Sequence, residues 1–282
     1  MCEPFVETQQ TYDLITAEYA KQNAATWPRL VGRISVLGAS LPPGSVVADV
    51  GCGPGRDVTL LRAQGFRVIG IDLSWGQLRT SGLPGVAQAD MRQLPLRTGS
   101  ADAIWCQAAL LHIPRLAVPA VLAEFARAVR PGGELYVSVT EGDGEGFEVA
   151  SRYGSDRKRW FTLHREPELT ALLTTVGFAV HQTHRNRGHG DWLSVHARRL
   201  GESDAATPCA ANICGRWRAS YFPDCGSFRI PDRKGRVNCQ GNTRLIRLSS
   251  GMRRPGSWSS RHVLSPMWHG NSESVRPRSV TG

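Results

Sequence analysis

Gly51, Gly53 and Gly55 alternate in "VADVGCGPGRD" (47–57), between an apolar run and a segment able to form a helix. Glycine accepts positive φ and leaves bare backbone, so such a turn lets a ligand lie against the main chain. The N–H groups at the start of the following helix favour an anionic group. Three carboxylates stand at related places. Asp49 sits two residues before the first glycine, Asp72 falls near the end of "FRVIGIDL", and Asp90 ends "VAQAD". A carboxylate at the second position can accept both hydroxyls of a ribose, because two coplanar oxygens match a vicinal diol. At the third it can accept from an exocyclic amine such as that of adenine. Either aspartate alone reads as a loop cap; their placement after successive strands favours a shared ligand. The spacing is G-x-G-x-G. A dinucleotide fingerprint asks for its third glycine where Arg56 stands, which disfavours a nicotinamide cofactor.

Positioning these residues requires a βαβ framework. Short β-branched or apolar runs at 45–50, 66–73, 86–90, 101–107 and 134–140 read as strands. Between and after them, 56–64, 114–130 and 166–178 read as helices, with "PGG" (131–133) as a helix stop. Residues 179–186 and 192–199 read as a closing antiparallel pair. The expected fold is α/β: a doubly wound, mostly parallel seven-stranded sheet covered on both faces. Ligands in such sheets sit at the carboxyl ends of the strands, near the point where strand order reverses.

His112 in "LLHIP" follows the fourth strand and is the candidate catalytic base. It also fits a loop cap before Pro114 or a passive lining of the pocket. As a base it would lose activity when pH falls through the ordinary histidine range. His181, His184 and His189 fit a polar strand and its turn better than a metal site. Cys209, Cys214, Cys225 and Cys239 lack the paired CxxC spacing of structural zinc sites, so no metal is expected. Cys52 and Cys106 read as small buried residues. Arg157, Lys158 and Arg159 precede Trp160 and Phe161; they form either a solvated basic turn or a contact with an acidic acceptor.

The formal charge is +10, unevenly spread. Residues 1–199 carry 21 basic and 19 acidic side chains, the remainder 13 and 5. A nearly neutral body argues against a nucleic-acid partner, since phosphate binding needs a basic surface. Residues 200–282 are rich in Ser, Gly, Arg and Pro without periodicity. They are expected to form a disordered basic tail behind a domain at 1–199. No apolar run is long enough to span a bilayer, and the N-terminus lacks a signal-peptide pattern. Cytoplasmic residence and reduced thiols are expected. The oligomeric state stays open.

Asp49 to Gly55, "GIDLS", Asp90-Met91, "LLHIP" and "RAVRPGGELYVSV" together resemble the class I S-adenosylmethionine-dependent methyltransferases. The likeness is greatest to the ubiquinone/menaquinone-biosynthesis branch and runs from Tyr12 to Arg199. It implies a Rossmann-like methyltransferase fold, S-adenosyl-L-methionine as cofactor and a small-molecule acceptor; a tRNA- or RNA-modifying enzyme is the alternative. It also implies roles. Gly51, Cys52, Gly53 and Gly55 would pack against the methionyl part and sugar, and Asp49 would lie near the cofactor's amino group. Asp72 and Leu73 would take the ribose, Asp90 and the Met91 backbone the adenine. Gln107 would line the methionyl side, and Tyr12 and Tyr19 would close over the cofactor from an N-terminal cap helix. Whether oxygen, nitrogen or carbon accepts the methyl group is left open.

Overall fold

The computed structural model describes residues 3–26, 28–187 and 190–201. They fall within the first of two compact units, Met1–Pro223. The second, Asp224–Gly282, lies outside the described residues, as do residues 202–223 of the expected tail, its four cysteines and His189.

Two helices, α1 (Pro4–Asn23) and α2 (Pro28–Ser40), precede the first strand. There follow β1 (Val46–Val50), α3 (Arg56–Ala63), β2 (Arg67–Asp72), α4 (Trp75–Ser81), β3 (Val86–Gln88) and β4 (Ala101–Gln107). The chain continues through α5 (Val118–Ala128), β5 (Val129–Thr140), β6 (Glu145–Val149), β7 (Lys158–Thr162), α6 (Glu166–Thr175), β8 (Phe178–Asn186) and β9 (Trp192–Arg199). Local chemistry sets several of these ends. Ser74 caps α4 by accepting from the Gln77 N–H, and Gly82 ends it in the left-handed region at φ +58°.

The main sheet has the order β3-β2-β1-β4-β5-β9-β8. β1 pairs in parallel with both β2 and β4, so the strand order reverses there. Only β9 runs against its neighbours. This is the expected mostly parallel, seven-stranded, Rossmann-like methyltransferase fold. Helices cover both faces. Val121, Leu122, Phe125, Leu169 and Leu173 bury α5 and α6 on one side. Leu30, Ile34, Leu37, Val58 and Leu61 bury α2 and α3 on the other. Each such side chain contributes about 1.5–3 kcal/mol of transfer free energy, before the entropy of ordering it is subtracted.

Three local expectations change. The helix before "PGG" ends at Ala128, and Pro131, Gly132 and Gly133 lie inside β5. The β4–β5 register shifts there, and a Cβ on Gly133 would stand 2.6 Å from the Asp102 carbonyl oxygen. The glycine therefore serves a close strand approach rather than a helix stop. The third strand is three residues long, Val86–Gln88. Finally, β6 and β7 form a separate two-stranded antiparallel sheet. Its buried positions on β7 are Arg159 and Thr162, so apolar alternation does not reveal it.

Candidate active site

At the carboxyl ends of β1, β2 and β4, against α1, lies a cavity of about 110 Å³. Its floor is the turn after β1. Gly51 takes φ +79°, Gly53 +53° and Gly55 +85°, all in the left-handed region. The Gly51 N–H donates to the Ile71 carbonyl at 2.7 Å, tying the turn to β2. A Cβ on Gly51 would come 2.1 Å from the Ala109 Cβ, so both conformation and space demand glycine here.

Asp72 holds this turn from the end of β2. One carboxylate oxygen accepts from the Gly53 N–H at 2.8 Å, the other from the Ser74 N–H at 2.8 Å. Burial lifts its pKa above the carboxylate norm, opposed by these backbone donors. Asp49 lies deeper, 1% exposed, with its Oδ2 buried and unpartnered. Burial, Asp57 and Asp72 together push its pKa well above the usual range. Asp90 is gripped at both oxygens by Arg92, at 2.6–3.0 Å. Burial raises its pKa, but these hydrogen bonds outweigh it and hold the carboxyl below its normal value.

The roof is α1. Asp13 Oδ1 accepts from the Ser74 hydroxyl at 2.6 Å and the Gly76 N–H at 2.7 Å. A Cβ on Gly76 would lie 2.9 Å from the Asp13 Cα, so glycine lets α1 seat directly on the start of α4. Tyr12 and Tyr19, edge to face at 5.3 Å, then point into the cavity's wall from the same helix. Sequence reading missed this clamp, because Asp13 and Gly76 have no local partners to signal it.

The His112 ring is half-buried and both its nitrogens are engaged. Its Nδ1 lies 2.6 Å from the Trp160 carbonyl oxygen, which can only accept, so Nδ1 carries the ring proton. The Nε2 lone pair then accepts from the Tyr12 hydroxyl at 2.8 Å. Arg159 Nη1 donates to the same hydroxyl oxygen at 3.1 Å. Burial, opposed by the Trp160 bond and aided by Arg159, pushes the His112 pKa down to about 3. Burial raises Tyr12 to about 12 despite Arg159. This environment favours the neutral imidazole across the ordinary histidine range.

Of the residues singled out from sequence, Gly51, Gly53, Asp72, Leu73, Asp90, Met91, Gln107, Tyr12, Tyr19 and His112 share the cavity wall. Asp49, Cys52 and Gly55 do not line it. Gly55 starts α3, and Cys52 packs in the core beneath the turn. Arg157 and Lys158 are exposed, whereas Arg159 is buried. Gln77 joins the wall unforeseen; its Nε2 donates to the Tyr12 carbonyl at 3.3 Å. Among the described residues no helix is long and apolar enough to cross a membrane, and no group of His, Cys, Asp or Glu converges as a metal site would.

Residues 48–137 match the family model described as a methyltransferase domain. A tRNA (carboxymethyluridine(34)-5-O)-methyltransferase of Mus musculus is 26% identical over 204 residues, 69% of this chain and 29% of that protein. A ubiquinone biosynthesis O-methyltransferase of Hahella chejuensis is 32% identical over 38% of this chain and 48% of that protein. The chain thus spans less than half the length of either relative. In shape it is similar to the 1,6-didemethyltoxoflavin-N1-methyltransferase of Burkholderia thailandensis, solved with its substrate and S-adenosylhomocysteine. That likeness has a TM-score of 0.56 and 23% identity, covering 71% of this chain and 92% of that one.

Proposed function

We propose that this chain is a methyltransferase that moves a methyl group from S-adenosylmethionine to a small-molecule acceptor. The observation carrying it is Asp72 at the end of β2, holding a left-handed glycine turn that forms the floor of a cavity at the strand-order reversal. The residues fit the cofactor on structural grounds. The bare Gly51–Gly53 backbone offers a surface a Cβ would spoil, and the orphaned Asp49 Oδ2 beneath it suits an ammonium group. S-adenosylmethionine supplies, when bound, a methyl group already activated by its sulfonium.

The chain's own residues then have modest tasks. Asp72 and Leu73 take the ribose, Asp90 and Met91 the adenine, and Gln107 and Tyr19 the methionyl side. Cys52 and Gly55 support the turn from behind. The roof of α1 excludes water and holds acceptor and methyl group in line, which supplies much of the rate in a displacement of this kind. His112 touches an acceptor's proton only through Tyr12, because its one free lone pair already receives the Tyr12 hydroxyl. Tyr12 and His112, with the Nδ1–H anchored on Trp160, form a neutral hydrogen-bonded wall beside the acceptor.

The Hahella relative, a ubiquinone biosynthesis O-methyltransferase, supports a small acceptor. The mouse relative supports a second reading, a tRNA acceptor. The nearly neutral charge of residues 1–199 weighs against it. The test is a thermal-shift titration with S-adenosylhomocysteine, followed by a labelled-methyl screen over phenols, amines, quinone precursors, carbon acids and tRNA. Stabilisation growing with ligand concentration is expected; none at millimolar ligand refutes the reading.

A further inference from the structure

Arg159 stands out among the arginines. Many other guanidinium groups meet carboxylates, as Arg92 meets Asp90, Arg130 Asp102 and Arg198 Glu134, while Arg62 and Arg199 donate to backbone carbonyls. Those pairs are partly exposed. Arg159 is 9% exposed, and no Asp or Glu among the described residues forms an ion pair with it. Its surroundings are three aromatic faces: Phe161 at 5.0 Å, Tyr153 at 5.1 Å and Tyr12 at 5.5 Å. Its Nη1 donates to the Tyr12 hydroxyl, while its Nε–H is buried with no acceptor at all.

A desolvated cation without a counter-charge is expensive, and a buried donor without an acceptor adds to that cost. Ring faces offset part of it, as cation–π contacts do. They do not satisfy an N–H. The guanidinium therefore keeps an Nε–H without an acceptor, and Arg159, though not itself part of the cavity wall, stands directly behind it. Tyr12, in hydrogen-bond contact with the guanidinium, lines the cavity, as does His112, which packs edge to face on Phe161 at 4.8 Å. A methionine would fill similar space without the charge.

We infer that Arg159 is the recognition residue for a compact anionic group on the acceptor, a carboxylate or phosphate monoester on a small molecule. The inference rests on the methyl-transfer reading and names its substrate class. An oxyanion has the flat pair of acceptors that a guanidinium fork matches. It would fill the orphaned Nε–H and neutralise the buried charge together. Such an acceptor would present its methylated atom toward Tyr12, where the hydroxyl and His112 stand.

The test uses the full chain saturated with S-adenosylhomocysteine. Three probes of similar shape are titrated by calorimetry: 4-hydroxybenzoate, its neutral methyl ester, and phenyl phosphate. The anions should bind and the ester should not, and the better anion distinguishes a carboxylate from a phosphate acceptor. Arg159→Met should weaken the anions by about tenfold to a hundredfold, the loss expected for a charge-assisted pair. Arg159→Lys should restore part of it. S-adenosylhomocysteine affinity should stay the same in both variants, so a failure of the cofactor reading shows separately, in the wild type. Melting temperature adds a check. A purely structural arginine would lower it on replacement by methionine, whereas an uncompensated one leaves it level or raises it. Equal binding of ester and anions overturns the inference, as does anion binding unchanged by Arg159→Met. A response to tRNA alone, with none to the small anions, overturns it in favour of a nucleic-acid acceptor.

Discussion

Gly51→Ala tests whether the cavity floor is set by conformation, by space, or by both. The residue takes φ +79°, where a Cβ costs about 1–2 kcal/mol. The added methyl would also lie 2.1 Å from the Ala109 Cβ, with the Ala109 Cα at 3.6 Å. A Cβ cannot rotate away, so the turn or the residues after β4 must shift. Overpacking of that kind costs about 1–3 kcal/mol. The sum is about 2–5 kcal/mol, a large part of the stability of an ordinary domain. Ala109→Gly removes the opposing methyl and separates the two contributions. The double variant should be more stable than the sum of the singles by the overpacking share, about 1–3 kcal/mol, while the φ penalty stays. Urea unfolding followed by linear extrapolation measures all four proteins. If Gly51→Ala costs under about 0.5 kcal/mol, or the two changes simply add, the turn is not built as described.

Asp72→Asn keeps the side-chain shape but loses the charge that the Gly53 and Ser74 N–H groups share; S-adenosylhomocysteine affinity by calorimetry should drop at least about tenfold. Tyr12→Phe takes the donor from His112 Nε2 and the acceptor from Arg159 Nη1. It should destabilise by about 1–3 kcal/mol while cofactor affinity changes little, and an equally large loss of affinity would contradict the wall described. Stability should also fall on acidification. His112 and His196 are both pushed down to about 3 by burial, His196 also by His181 and His184. The unfolded chain takes up those protons near the ordinary histidine value, so the stability they confer is complete above it. It is lost as pH falls from there toward 3, at up to about 1.4 kcal/mol per pH unit for each histidine. Asp49, whose pKa burial raises, acts in the opposite sense, so His196→Gln should be compared with wild type at each pH. A slope unchanged by that substitution would refute the buried neutral imidazole.

Much of the architecture follows from local pattern. The alternation of strand and helix, the glycine turn after β1, and Asp72 and Asp90 after successive strands are all periodicity and spacing, which adjacent residues determine. Ten of the expected residues share one cavity wall: eight because parallel strands bring their carboxyl ends to a common edge, and Tyr12 and Tyr19 from α1. What tertiary structure decided involves residues far apart in the chain. Asp13 seats α1 on α4 across some sixty positions, and Gly76 matters only because the Asp13 backbone lies against it. His112 reads as a free base in sequence. It becomes a neutral, saturated ring only when Tyr12 and Trp160, 100 and 48 positions away, close on its two nitrogens. Arg159 belongs to a run of three basic residues that in sequence fits either a solvated turn or a contact with an acidic acceptor. Within β7 Lys158 is exposed and Arg159 turns inward among three rings, because successive residues of a strand face opposite sides; Arg157 stands exposed before the strand. Composition sees charge, but only the fold decides which charge loses its water.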